Sequence, residues 1–209
     1  MASHLVMEKE HMNKLYNSKN FLVRFFHNQR LNSILHFIPE KQANLKVLDA
    51  GCGEGHLLEA IYQKNPKLKL YGVDVTKIAL SSTKKRLKGK AKISMQDITK
   101  LKFPKGYFDI IICSDALEHI FDYNQAVSNL KNAAKNKGII IVSYPNELNL
   151  IISRFLMGIT PAKAQDHVNS FSPVKMKKEF NLPVAEQFNL PVNLPFIFSL
   201  EAVQAFTKK

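Results

Sequence analysis

The sequence predicts an α/β fold: a doubly wound, mostly parallel seven-stranded sheet with an antiparallel pair of strands at its C-terminal end. Three observations carry this. Strand-like and helix-like segments alternate five times between residues 46 and 145. Two of the strands, FDIIICSD (108–115) and GIIIVSYP (138–145), are continuous apolar runs, the pattern of parallel strands covered on both faces. The tail from residue 184 has two apolar stretches separated by Pro191 and Pro195, which suits a final antiparallel pair with the prolines in its connection or at a sheet edge.

The elements follow in order. Residues 20–38 place Leu22, Phe25, Phe26, Ile34, Leu35 and Ile38 at helical spacing in two pieces on either side of HNQR, and Pro39 stops the second piece. Lys46 to Asp49 reads as a strand, Glu54 to Gln63 as a helix closed by Asn65-Pro66. KLYGVDV (69–75) is a second strand. TKIALSSTKKRLK (76–88) is an amphipathic helix with Thr76 as its N-cap and Gly89 as its stop. KISM (92–95) is a third strand, and Tyr123 to Ala134 a helix between the fourth and fifth. Residues 146–176 read as loop and short helix.

A chain of 209 residues with 45% hydrophobic residues suits one globular domain. The first twenty residues have no apolar secretory core, and no stretch has about 18 apolar residues, so the expectation is a cytoplasmic protein. The two cysteines, Cys52 and Cys113, form neither a disulfide framework nor a zinc pattern, and no metal site is read. The formal charge is +13, yet of the 30 basic side chains only Arg24, Arg30, Arg86 and Arg154 are arginine. Arginine is the preferred residue for bidentate phosphate and guanine contacts, so the lysine excess reads as a solvated surface and nucleic acid is disfavoured as a partner.

In an open parallel sheet, ligands bind beyond the carboxyl ends of the strands, near the point where strand order reverses. Those ends carry DAGCGEG (49–55), Asp74, Gln96-Asp97-Ile98, Ser114-Asp115 followed by ALEHI, and Ser143 to Asn146. Glycines after the first strand allow close backbone approach. A carboxylate ending the second strand suits a ribose diol, and Asp74 follows Asp49 at the spacing that one strand–helix–strand unit gives. The ordered motifs VLDAGCGEG, GVDV, QDI and DIIICSDALEHI closely resemble those of the class I S-adenosylmethionine-dependent methyltransferases, over residues 45–146.

That resemblance implies a Rossmann-like methyltransferase fold with S-adenosyl-L-methionine as cofactor and S-adenosyl-L-homocysteine as product. It divides the domain into an N-terminal helical lid (1–40), a cofactor-binding core (41–146), a substrate-side cap (147–180) and C-terminal strands (181–209). It implies that Gly51, Cys52 and Gly53 form the loop under the cofactor and that Asp49 orders the loop and contacts the amino group through water. Asp74, with Val75 beside it, would bind the ribose hydroxyls. Asp97 and Ile98 would hold the adenine. Ser114 would hold the methionine ammonium by its carbonyl, with Asp115 and Ala116 to His119 closing over the sulfonium. Arg30 would hold the methionine carboxylate, the alternative being a solvated helix arginine.

Methyl transfer needs an acceptor placed in line and, where required, a base; no nucleophilic Ser or Cys is arranged for it. His167, in DHVNSF, is the first catalytic candidate, as general base or substrate contact. His119 is the second, with packing or cofactor ordering as its alternative. Tyr144 and Asn146 are expected in the pocket wall, and Tyr16 and His27 in a lid. The chain has SDALEH where nucleic-acid amino-methyltransferases carry an Asn/Asp-Pro-Pro-Tyr/Phe motif. Its EHI motif instead resembles the small-molecule and lipid-precursor branch, including enzymes like those of ubiquinone biosynthesis. The expected partner is a small-molecule acceptor, hydrophobic or lipid-linked, and LNLIISRFLMGI (148–159) with the positive charge would suit peripheral contact with an anionic membrane. A pocket cap packed on the sheet is the alternative for that segment. An RNA- or protein-directed methyltransferase and a cofactor-binding module without turnover stand as rival functions. A nicotinamide dehydrogenase is disfavoured by the glycine pattern.

Overall fold

A computed structural model describes residues 14, 16–156, 164 and 166–208. Parts of the expected lid (1–13 and 15) and cap (157–163 and 165) lie outside the described residues. Seven strands form one sheet: β1 (Lys46–Ala50), β2 (Lys69–Asp74), β3 (Ala91–Met95), β4 (Phe108–Ser114), β5 (Ala134–Pro145), β6 (Val184–Leu190) and β7 (Glu201–Thr207). Their order is β3-β2-β1-β4-β5-β7-β6. The first five run parallel, and β7 pairs antiparallel with both β5 and β6. The order reverses between β1 and β4, so the loops after these two strands flank the crevice where such sheets take ligands.

Helices cover both faces. On one side α1 (Phe21–Leu35), α2 (His56–Lys64) and α3 (Lys77–Leu87) bury Ile34, Leu58, Ile61 and Leu80 against Val47, Leu70 and Ile112. On the other, α4 (Tyr123–Ala133) and α6 (Pro173–Phe180) bury Val127, Leu130, Met176 and Phe180 against Leu48, Ile111 and Phe206. Each central strand therefore points alternate residues into two apolar layers, which is why β4 reads as an unbroken apolar run. A further helix, α5 (Glu147–Leu156), follows β5 directly and buries no residue.

Three element boundaries differ from the sequence expectation. Helix α1 is unbroken through HNQR, because Arg30, the last residue of that stretch, is buried together with Ile34 one turn further on; the Asn20 side chain accepts from Leu22 N and caps the helix. Helix α2 begins at His56 rather than Glu54, because Gly53 and Gly55 both have positive φ and extend the turn. Strand β5 begins at Ala134, before Gly138, across an irregularity in its pairing with β4. Gly138 permits this: a Cβ there would stand 2.9 Å from the Lys135 carbonyl oxygen and 3.1 Å from that of Asp109.

Candidate active site

The loop after β1 is tied down from beneath. Gly51 N and Cys52 N both donate to the Val73 carbonyl, at 2.8 and 2.9 Å. Asp74 at the end of β2 accepts from Gly53 N through Oδ2 (3.0 Å) and from Thr76 N through Oδ1 (2.8 Å). The Thr83 hydroxyl lies 2.5 Å from the Gly53 carbonyl oxygen. Gly51 has φ +85°, and a Cβ there would stand 2.9 Å from the Ala116 Cβ and 3.8 Å from Ile98 Cδ1. Gly51, Ile98 and Ala116, from three separate loops, thus meet at one place.

Asp49, next to last in β1, lies beneath this loop and is 2% exposed. Burial first, and the neighbouring Asp74 charge second, push its carboxyl up to about 7. Asp97 accepts from Thr99 N and Thr99 Oγ1 through Oδ1, at 2.8 Å each, and so caps the short turn Ile98–Lys100. Val75 is exposed beside Asp74. Cys52 and Cys113 are buried, and burial raises both thiols well above their ordinary range, so neither supplies a thiolate.

At the end of β4, Asp115 has φ +47°, a conformation uncommon for a non-glycine residue. Its carboxylate is ion-paired with Arg30 of α1 and accepts from Ser143 Oγ at 2.8 Å. Ser143 Oγ is also 2.9 Å from Ser114 Oγ. Arg30 is buried, which excludes the solvated-arginine alternative. It donates to His27 Nδ1 at 3.0 Å, and the Tyr16 ring lies 5.7 Å from His27 and 5.0 Å from His56. The lid candidates therefore gather over Arg30. Tyr144 and Asn146 take interior roles instead of lining a pocket. Tyr144 is fully buried and donates to Gln204 Oε1 at 2.6 Å, and Asn146 Nδ2 donates to the Phe196 carbonyl at 2.8 Å.

The two candidate histidines are brought together, with ring centroids 4.8 Å apart at 74°. His119 Nδ1 donates to the Asp166 carbonyl at 3.1 Å, and His167 Nδ1 is bonded to Glu147 Oε1. Burial lowers His119. Burial lowers His167 too, but the bond and charge of Glu147, together with the Glu118 and Asp166 charges, outweigh it and leave His167 raised. Glu118, Glu147 and Glu201 enter this region without having been singled out in the sequence; Glu118 had a local signal in its place before His119, whereas Glu147 and Glu201 had none. A groove of about 390 Å³ bordered by Phe37, Leu45, Asp109 and Lys135 lies at the amino ends of the strands, away from all of these groups.

Residues 41–186 match the family model described as a methyltransferase domain. The chain belongs to that family. It is a class I S-adenosylmethionine-dependent methyltransferase. Among curated proteins it is similar to the ubiquinone biosynthesis O-methyltransferase of Rickettsia bellii, 27% identical over 187 residues that cover 79% of this chain and 74% of that one. Its fold resembles that of the magnesium protoporphyrin IX methyltransferase of Synechocystis with bound S-adenosylhomocysteine, with TM-score 0.72, 19% identity and coverage of 95% and 93%. A methyltransferase of Aquifex aeolicus gives TM-score 0.70 at 13% identity, covering 97% and 100%.

The methyltransferase uses S-adenosylmethionine, and its strand ends fit that molecule's charges. The cofactor carries cationic ammonium and sulfonium groups, and Asp49, whose ionised form is disfavoured by burial and by the Asp74 charge, gains from a positive charge placed beside it. Gly51, without a side chain, leaves the β1 and β4 loops as close as the fold brings them. No described helix of the methyltransferase is long and apolar enough to cross a membrane.

Proposed function

We propose that this methyltransferase acts on a hydrophobic or lipid-linked small molecule and meets it at an anionic membrane surface. The carrying observation is the outward face of α5. Leu148, Ile152, Phe155 and Leu156 are exposed on it, and Ile197 and Phe198 are exposed on the neighbouring turn. Asn149 Nδ2 bonds the Ile197 and Ser199 carbonyls at 2.7 and 2.8 Å, so the two apolar surfaces adjoin. An apolar patch on a chain of net charge +13 has the two attractions that interfacial binding needs. The same helix begins at Glu147, which holds His167, so the patch borders the candidate acceptor side of the site. The similarity to a ubiquinone biosynthesis O-methyltransferase supports the same reading.

On this reading Asp49, Gly51, Cys52, Gly53 and Asp74 hold the methionine and ribose parts of the cofactor. Val75, Asp97 and Ile98 stand at the ribose–adenine side. Ser114, Asp115, Ala116 and Arg30 border the methionine end. His119 and His167 face the acceptor. The bound cofactor supplies a methyl group already attached to a good leaving group, and the chain's task is to place the acceptor atom in line and accept its proton.

The test is a labelling assay. Protein is given methyl-labelled S-adenosylmethionine with anionic vesicles containing a prenylated dihydroxybenzene, and separately with total RNA. Label in the organic phase, lost in Asp74→Ala, is the expected result. Label only in RNA, or in the protein's own polypeptide, overturns the acceptor assignment.

A further inference from the structure

We propose that Glu118, His119 and His167 form a binding site for one divalent first-row transition ion. One ligand atom from each lies within 4.8 Å of the other two. Three ligands roughly 2.0–2.2 Å from one metal stand about 3.3–3.8 Å apart, so the three side chains close on an ion by moving inward by about 1 Å.

Three further features mark it as a built site. Each histidine is held through Nδ1, His119 by the Asp166 carbonyl (3.1 Å) and His167 by the Glu147 carboxylate, which leaves Nε2 as the ring nitrogen that a ligand would use. Histidines that bind metals are oriented in this way, by a carbonyl or carboxylate on the far nitrogen. Glu118 is 2% exposed, and its Oε2 has no hydrogen-bond partner among the described residues. An orphaned buried carboxylate oxygen is costly unless a cation or donor meets it. Finally, the two halves are joined by backbone: Val168 N and Asn169 N donate to the Glu118 carbonyl at 2.9 and 3.1 Å, and Asn169 Nδ2 donates to the Ile120 carbonyl at 2.7 Å.

Two imidazoles favour an ion of the Mn²⁺ to Zn²⁺ series over Mg²⁺ or Ca²⁺, which prefer all-oxygen sites. Three protein ligands leave coordination positions open on the side where His119 and His167 are partly exposed. The role of the ion rests on the acceptor reading above. It would hold an acceptor hydroxyl and lower its pKa, so that the proton passes to solvent water as the oxygen binds the metal, and the histidines would act through the ion instead of as free bases.

The experiment strips the full chain with chelator and titrates it by calorimetry with Zn²⁺, Mn²⁺, Co²⁺ and Mg²⁺. Visible absorption is recorded for Co²⁺. S-adenosylhomocysteine is titrated into the same samples. One equivalent of Zn²⁺ or Co²⁺ is expected to bind at micromolar or lower Kd, with ligand-field bands for Co²⁺, and at least tenfold more weakly in His167→Ala and Glu118→Gln. Unchanged S-adenosylhomocysteine binding in His167→Ala would show that the fold is intact. No saturable binding, or equal affinity in the variants, overturns the site; Mg²⁺ binding as tight as Zn²⁺ overturns the choice of ion. Failure of S-adenosylhomocysteine binding in the wild-type chain would instead strike the cofactor assignment, independently of the metal result.

Discussion

Arg30 of α1 is ion-paired with Asp115 at the carboxyl end of β4, and its guanidinium lies 3.9 Å from Glu201 Oε2 of β7. One buried cation therefore balances two carboxylates from separate strands and pins the N-terminal helix to the site.

Removing that cation leaves the carboxylates uncompensated. Arg30→Met is expected to destabilise the fold by about 3–5 kcal/mol at neutral pH. Burial already raises Glu201, and Arg30 opposes the rise. Without Arg30 the carboxyl titrates higher still, so the penalty is greatest in the ionised range and shrinks as pH falls. Urea unfolding of both proteins at pH 5 and pH 8 checks this; an equal loss at the two values would refute it.

Asp49 sets a pH dependence. Its folded-state value, about 7, lies above its ordinary 3.8. Its contribution to stability is therefore fully present below pH 3.8 and is lost as pH rises through 7. Binding of a cationic ligand has the opposite slope, because it needs the ionised form. Affinity for S-adenosylmethionine should weaken by up to about tenfold per pH unit below 7, and Asp49→Asn should flatten that slope. Calorimetry from pH 5.5 to 8.5 reads both.

Gly51→Ala should damage both fold and cofactor site. The position has φ +85°, and the new methyl would press on Ala116 at 2.9 Å. The backbone alone costs roughly 1–2 kcal/mol. Gly89 is the matched control, since it has φ +83° with nothing within 4 Å of its Cβ position. Gly89→Ala is expected to lower Tm modestly and leave S-adenosylhomocysteine affinity unchanged, while Gly51→Ala lowers both by more. Equal behaviour of the two would show that contact with the β4 loop is unimportant.

The α5 face can be tested without touching the site. Phe155 and Leu156 are 73% and 77% exposed, so Phe155→Ser with Leu156→Ser should change stability by no more than about 0.5 kcal/mol per site. Sedimentation with phosphatidylserine-containing vesicles should fall several-fold. Undiminished sedimentation would place the membrane contact elsewhere, or nowhere.

The alternating elements, the glycine loop and its carboxylates were legible in the residues because they are local. A strand buried on both faces shows as an apolar run, and a turn with positive φ shows as glycine. Asp74 follows Asp49 by one strand–helix–strand unit, whatever the rest of the chain does. Tertiary structure decided what depends on distant partners. HNQR reads as a break in isolation, yet α1 runs through it, because Arg30 finds Asp115 and the turn that presents it is buried. Tyr144 reads as a pocket residue until Gln204, on a strand paired in antiparallel register, takes its hydroxyl. His119 and His167 are separated in sequence by α4, β5 and α5, so no spacing pattern joins them. Only the return of Val168 and Asn169 onto the Glu118 carbonyl sets the two rings side by side. Period and turn chemistry are written in neighbouring residues, whereas the pairing of charges and ligands is set by which loops the sheet order brings to one edge.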